Sequence, residues 1–244
     1  MHSDILKNSG IEIVYEDDRI VAINKPAGFL TLPDRYDRTS PSLIRVLESV
    51  YDKIFVVHRI DKETSGLILF AKDEDAHRFL NQQFMEHANK KIYHAVVRGS
   101  FSKEYLEVDI PILSNPTGKA KMIPSARGKY ALTLIKPLEK YRLASLLECQ
   151  IVTGRQHQIR VHCSTIGFPL LVDNIYSGVE EFYLSSIKRK FNLRKNESEV
   201  PIIKRLSLHS YSIEFEHPDD HKLSLTADYP KDFKVLIQIL RKYA

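Results

Sequence analysis

The stretch VVHRIDKETSGLILFAKD, residues 56–73, joins two unlike pieces of chain. His58, Arg59, Asp61, Lys62 and Glu63 crowd a short polar turn, and an apolar run, Leu67, Ile68, Leu69, Phe70 and Ala71, follows at once. A turn needs only Gly, Asn, Asp or Ser. Five titratable side chains in one loop exceed that need, so the rest of the chain has to say whether they carry chemistry.

The chain has 244 residues, 43% of them hydrophobic, which is ample for a core and fits one large domain or two small ones. The apolar runs are far too short to span a bilayer, and the first residues, MHSDILKNSGIEIVYEDD, lack the apolar stretch of a signal peptide. Only Cys149 and Cys163 occur, which suits a reducing compartment without a disulfide framework. The expectation is a soluble cytoplasmic protein. The formal net charge of +5 raises the prior for a nucleic-acid partner only modestly.

Outward from the opening stretch, hydrophobic periodicity places the elements. IEIVYEDDRIVAINKPAG reads as a hairpin in which Ile11, Ile13 and Tyr15 alternate with Glu12, Val14 and Glu16, followed by an irregular loop at Pro26 and Gly28. SPSLIRVLESVY predicts a helix with Ser40 as N-cap and Pro41 just inside. Asp73 can cap a helix carrying Ala76, Phe79, Leu80 and Phe84 on one face. KKIYHAVVRG and RLASLLECQIV read as strands. Thr153 and Gln156 have capping-box spacing for a helix that turns Ile159, Cys163 and Ile166 to the core, with His157, Arg160 and Ser164 on an adjoining face. A hairpin turning at residues 218–221 and a closing helix complete an α+β pattern: a mixed, largely antiparallel sheet flanked by helices.

The chemistry is first narrowed by elimination. His157 and His162 are five apart rather than four, and the cysteines form no CxxC, so a zinc site is not expected. No phosphate-binding glycine loop for ATP or NAD is present, and Gly66 and Gly99 read as turn residues. No G-x-S-x-G elbow marks Ser65 as a nucleophile. Asp61 and Glu63 on one turn are poorly placed as a glycosidase pair, and Glu63 is expected to face solvent. Asp61 remains, with arginines. A carboxylate beside a buried guanidinium stays ionised and can attack carbon. On spacing alone, a capping role for Asp61 and a solvated helix face for Arg155 and Arg160 are the commoner outcomes.

The motifs, taken together, decide between these readings. HRIDKETSGLILFAKD resembles the signature segment of the RluA family of RNA pseudouridine synthases. VYEDDRIVAINKPAGFLTLP resembles that family's N-terminal hairpin and KPAG loop, and KKIYHAVVRG its tyrosine-bearing strand. TGRQHQIRVHCSTIGFPLLVDNIY resembles its third motif, and RLSLHSYSIEFEHP its C-terminal hairpin. Five motifs in family order, across about residues 11–230, are far more specific than any one of them. GFLTLPDR is similar to the RluA type itself.

The resemblance implies a single pseudouridine-synthase catalytic domain over residues 1–244 that isomerises uridine in structured RNA, a ribosomal or transfer RNA stem-loop, without cofactor or metal. It implies Asp61 as nucleophile, Arg59 as the residue that helps hold the target nucleotide out of its stack, Tyr93 as a catalytic residue stacked on the flipped base and placed to help remove the C5 proton, and Arg160 as the arginine paired with the nucleophile. Arg155 is the competitor, read as meeting phosphate or a structural carboxylate; His58 receives no catalytic role, and Lys25, Lys62 and Lys72 are read as solvated or backbone-facing, with phosphate contact as the lesser reading. The rival from a different class is a catalytically silent RNA-binding or ribosome-assembly protein on the same fold.

Two departures stand out. Val172 replaces the family's usual Gly before Asp173, and a charged insertion occupies about residues 177–205. In the insertion, Glu180 and Glu181 precede an apolar set, Leu184, Ile187 and Phe191, which predicts a helix docked by one face. Lys188, Arg189, Lys190, Arg194 and Lys195 are its expected RNA phosphate contacts. Many relatives carry an S4-like RNA-binding domain ahead of this hairpin, so RNA selection is expected from the catalytic domain, acting as a monomer.

Overall fold

Strands β1 (Glu12–Glu16) and β2 (Ile20–Lys25) lead to helix α1 (Leu43–Glu48), strands β3 (Phe55–Val56) and β4 (Ser65–Ala71) and helix α2 (Glu74–Met85). β5 (Lys90–Arg98), β6 (Leu106–Asp109), β7 (Ile112–Ser114), β8 (Met122–Pro124), β9 (Leu132–Lys140) and β10 (Ala144–Ile151) come next. Helix α3 (Gln158–Thr165), strands β11 (Leu208–Glu216) and β12 (Lys222–Thr226) and helix α4 (Lys231–Tyr243) complete the order. The computed structural model describes residues 6, 8–34, 41–117, 121–188, 190–193 and 197–244. The architecture is the expected α+β type, with strands paired mainly antiparallel and few helices. Contacts group the chain into two compact units, residues 1–92 with 209–228, and residues 93–208 with 229–244.

In the first unit the apolar run of the opening stretch is β4, a strand buried along its whole length. β2 lies antiparallel on one edge, while β3 and β11 share the other, β11 parallel to it and β12 antiparallel to β11. Both faces of β4 are covered, which is why it reads as a continuous apolar run rather than an alternation. Leu67, Leu69 and Ala71 pack with Ala76 and Leu80 of α2. Ile68 and Phe70 pack with Leu43, Ile44 and Leu47 of α1. β2 divides likewise, with Ile20 and Ala22 to the first cluster and Val21 and Ile23 to the second.

Three sequence expectations change here. The β1 alternation is broken by a bulge between Ile13 and Tyr15, so Val14 and Tyr15 both pack on the core and Ile13 is exposed; a bulge places two residues opposite one and resets the period. Helix α1 starts at Leu43 with Ser42 as N-cap, two residues after the expected Ser40, which lies outside the described residues. Gly66 is no turn residue. It sits inside β4 at φ +110°, opposite Ser210 of β11, where a Cβ would fall 2.2 Å from the Ser210 carbonyl oxygen. By contrast, Asp73 caps α2 as expected, accepting from Asp75 N and Ala76 N at 2.9 Å.

The second unit has strand order β5-β10-β9-β6, with β7 and β8 as a separate hairpin. Its core gathers Val96, Leu146, Leu171, Val172, Phe182 and Ile203 around Phe233, Leu236 and Leu240 of α4. Val172, where the family usually has Gly, is 2% exposed and simply fills that core.

Gly66→Ala should destabilise the protein by about 3 kcal/mol or more, because it forces both a left-handed backbone position and a backbone overlap. Urea unfolding measures this, and a loss under about 1 kcal/mol would mean that β4 and β11 can separate without penalty.

Candidate active site

Residues 57–64 connect β3 to β4 and carry Asp61. Val57, Ile60 and Thr64 are buried and anchor the loop, Asp61 is half-buried, and Arg59, Lys62 and Glu63 are exposed. The Thr64 amide donates to the Asp61 carbonyl at 3.1 Å and closes a tight turn. The loop is then strapped to residues 26–31. Lys25 is fully buried, and its ammonium donates at 2.9 Å to the carbonyls of Pro26, Phe29 and Lys62. An ammonium has three donors, and each has a carbonyl here, which offsets much of its desolvation. Gly28 N donates to the same Lys62 carbonyl at 2.9 Å. Thr31 Oγ1 donates to the Ile60 carbonyl at 3.2 Å and accepts from Ile60 N. Of the two readings open for Lys25, backbone-facing holds.

His58 holds the other side of the loop. Its Nε2 accepts from Leu69 N of β4 at 3.0 Å, and its ring stacks on Phe84 at 4.7 Å and 18°. The accepted hydrogen bond places the ring proton on Nδ1. Burial pushes the imidazole down to about 3, helped by the charge of Lys91. Lys91 lies 5.0 Å over the other contact of the cluster, the Phe84 ring, and burial pushes it down to about 8. His58 is therefore a neutral structural ring, as expected. Lys91 was not singled out from the sequence, although a charge two residues from Tyr93 within a buried strand is a visible anomaly.

In the second unit Tyr93 is 7% exposed on β5. Arg160 is buried rather than on a solvated helix face. It makes a two-pronged pair with Asp173, Nε to Oδ2 at 2.7 Å and Nη2 to Oδ1 at 2.8 Å, and its guanidinium lies 5.0 Å over the Tyr176 ring. Asp173 Oδ1 also accepts from Ile175 N and Tyr176 N, at 2.9 and 3.1 Å, so one carboxylate fixes both the arginine and the turn. This partner of Arg160 was not anticipated. The start of α3 also differs from expectation. Thr153 bonds Gln158 Oε1 at 2.7 Å, not Gln156, and Gln158 Oε1 also accepts from Arg155 N. His157, in the left-handed region at φ 55°, is the N-cap. Arg155 lies ahead of the helix and donates from Nε to the Tyr130 carbonyl at 2.9 Å.

The insertion does not form the expected α-helix. A single 3-10 turn, Leu184–Ser186, is followed by irregular chain. Phe182 bridges to Ile203, and both are buried with Ile187, so the apolar residues are used by a strap that returns on itself rather than by a helix face. Ser185 N donates to Glu199, and Arg205 pairs with Asp232 at 2.7 and 2.8 Å to fix the end of the strap to α4. Lys188 lies 5.7 Å over Tyr243 and Lys190 is exposed; Arg189, Arg194 and Lys195 fall outside the described residues. Among the described residues no three His, Cys, Asp or Glu side chains are placed to hold a metal ion. Among the described residues no helix is long and apolar enough to cross a membrane.

Two outcomes follow from the loop geometry. Lys25→Met takes the ammonium from the Pro26 and Phe29 carbonyls and leaves the Lys62 carbonyl to Gly28 N, and should destabilise the protein by about 3 kcal/mol or more in urea unfolding. His58 titrates near 6.5 unfolded and about 3 folded, so between these values the unfolded chain holds the extra proton. Its contribution is complete above 6.5 and is lost as pH falls toward 3, at up to about 1.4 kcal/mol per pH unit. Wild type minus His58→Gln stability should thus drop by roughly 3 kcal/mol from pH 7 to pH 4. Parallel pH curves for the two proteins would refute the assignment.

Comparison with known proteins now adds to this geometry. Residues 19–165 match the family model described as RNA pseudouridylate synthase. The chain is 34% identical over 238 residues to ribosomal large subunit pseudouridine synthase D of Neisseria meningitidis serogroup B, covering 95% of this chain and 61% of that protein. It is 32% identical over 235 residues to the dual-specificity RNA pseudouridine synthase RluA of Vibrio vulnificus, covering 93% of this chain and 87% of that protein. In fold it resembles human RNA pseudouridylate synthase domain containing 4, with a TM-score of 0.74 at 23% identity over 98% of this chain and 95% of the other. This chain belongs to the RNA pseudouridylate synthase family, among relatives of the RluA and RluD type.

Proposed function

We propose that this protein converts uridine to pseudouridine in structured RNA, with Asp61 as the nucleophile. In this isomerisation the C1′–N1 bond breaks, the base rotates, C1′ bonds to C5, the C5 proton leaves and N1 takes one up. The observation that carries the reading is the Asp61 loop itself. A half-buried carboxylate stands on a turn whose neighbours Ile60 and Lys62 are each fixed through their backbones. Positional restraint of this kind suits a group that must meet one carbon atom. Neighbouring His58, neutral with Nε2 engaged, is no competing base. Exposed Arg59 is assigned to the flipped-out nucleotide's place in the helix and Tyr93 to stacking on the base. Arg160 stays in the catalytic set. Asp173 orients its guanidinium through Nε and Nη2. Arg155 and the insertion's Lys188, Arg189, Lys190, Arg194 and Lys195 are assigned to RNA phosphates.

Ribosomal or transfer RNA is the proposed substrate, acted on in the cytoplasm by a monomer. One relative is named for the large ribosomal subunit, which supports ribosomal RNA, and another for dual specificity, which supports a second target.

Tritium release from 5-tritiated uridine in ribosomal and transfer RNA tests the reaction, since only substitution at C5 liberates the label. Asp61→Asn should reduce release to background while leaving RNA binding near normal. Activity within about tenfold of wild type, a barrier change of about 1.4 kcal/mol, would overturn the nucleophile. Tyr93→Phe should keep RNA affinity and Tyr93→Leu should lose roughly 1–3 kcal/mol of it. Equal affinity and wild-type turnover in both would reduce Tyr93 to packing.

A further inference from the structure

A cavity of about 340 Å³ opens beside the Asp61 loop, lined by Arg59, Ile60 and Lys62 but not by Asp61. Its floor is apolar: Leu30, Leu32, Pro33 and Ile60. Its rim carries the exposed cations Arg59 and Lys62, with Asp34 as the one acid. Resting on the catalytic reading above, we propose that this cavity seats the nucleotide that adjoins the target uridine in the RNA chain, with its base on Leu32 and Pro33 and its phosphate at Lys62.

Four observations support this occupant. The volume lies within the range of small-molecule sites, roughly 300–1,000 Å³, and holds one nucleotide rather than a peptide segment. Leu32 is 44% exposed, a large apolar side chain left open at the mouth, as a stacking surface requires. Lys62 forms half of a match to a phosphodiester, whereas the nearby Lys25 is buried on carbonyls and cannot serve. Finally, the walls are built in advance. Thr31 and Ile60, both in the lining, are hydrogen-bonded to each other, and the Lys62 backbone is held by Lys25 and Gly28. A prearranged pocket loses little entropy on binding. Arg59 and Ile60 precede Asp61 and Lys62 follows it, so the cavity and the reactive carboxylate share one rigid turn. A nucleotide covalently tethered to the reacting uridine arrives at high effective concentration, so weak intrinsic affinity suffices.

The experiment titrates the full chain with adenosine 5′-monophosphate, adenosine and inorganic phosphate, following methyl NMR signals of Leu30, Leu32 and Ile60. The monophosphate should move all three and bind at least roughly tenfold more tightly than either part, as a charge-assisted contact added to an apolar one. Lys62→Ala should bring it down to the level of adenosine. Leu32→Ala should weaken adenosine and its monophosphate alike, and Leu32→Asp should abolish both. Asp61→Asn should bind all three as wild type does, so an error in the catalytic assignment and an error in this one give different results. Phosphate binding as tightly as the monophosphate would reduce the site to an anion contact. Shifts that spare Leu30, Leu32 and Ile60 would overturn the proposal.

Discussion

The ammonium of Lys25, closed in by the carbonyls of Pro26, Phe29 and Lys62, is the contact on which the reactive loop depends. Two irregular segments meet there, residues 26–31 and residues 57–64, and neither has a strand ladder to define its backbone. Irregular chain exposes carbonyls that must find donors. One cation with three donors satisfies a carbonyl on each side at once, and its charge strengthens every one of those bonds. A neutral amine brings only two donors to three acceptors, and the planar fork of an arginine would direct its donors differently from a compact ammonium. The KPAG loop is thereby less a binding loop than a clamp, in which Pro26 and Gly28 shape the chain so that its carbonyls face inward.

A clamp fixes one side of the turn only. The other side is fixed through β4, which begins where the loop ends. Gly66 lets β11 approach until Ser210 leaves no room for a Cβ, and Ser65 bonds His209 Nδ1 at 2.9 Å within that contact. His58, at the front of the loop, reaches past it to the Leu69 amide in the middle of β4. The path from strand to carboxylate is therefore short and bonded at both ends. Rigid supports of this kind suit the positional demand that the proposed role places on Asp61.

Legibility in the sequence divides along a physical line. Periodicity reports burial, so β4, α2, β5, β10 and α4 were readable from it, and Asp73 was readable as a cap because capping is local. The bulge in β1 was not, since the partner strand decides which residue is left over. Gly66 was misjudged as a turn because its constraint comes from Ser210, which is distant in sequence. Thr153 chose Gln158 over Gln156 because Gln158 can also reach the Leu132 carbonyl and Thr133. The insertion failed as a helix for the same reason: Phe182 and Ile203 found each other, and a bridge between segment ends outweighs the modest preference of a charge pattern. The candidate residues were identified by motif order. Their individual spacings would have left Asp61 a turn residue and Arg160 a surface one.

Charge follows a similar rule. The net charge of +5 counts every basic residue alike, yet their surroundings separate them. Lys25 is held by carbonyls, Arg160 by Asp173, Arg205 by Asp232 and Arg241 by Glu139. These four bind the fold to itself, and removing one would leave buried acceptors without donors or carboxylates without counter-charges. Arg59 and Lys62 differ. They are exposed, they stand on either side of Asp61, and the backbone beneath them is immobilised by contacts that do not involve their charges. A polyanion approaching this surface therefore meets cations whose positions are already set but whose side chains remain available. The total charge could be halved elsewhere without changing that local arrangement, which is why composition gave only a weak indication of a nucleic-acid partner while the loop gives a specific one.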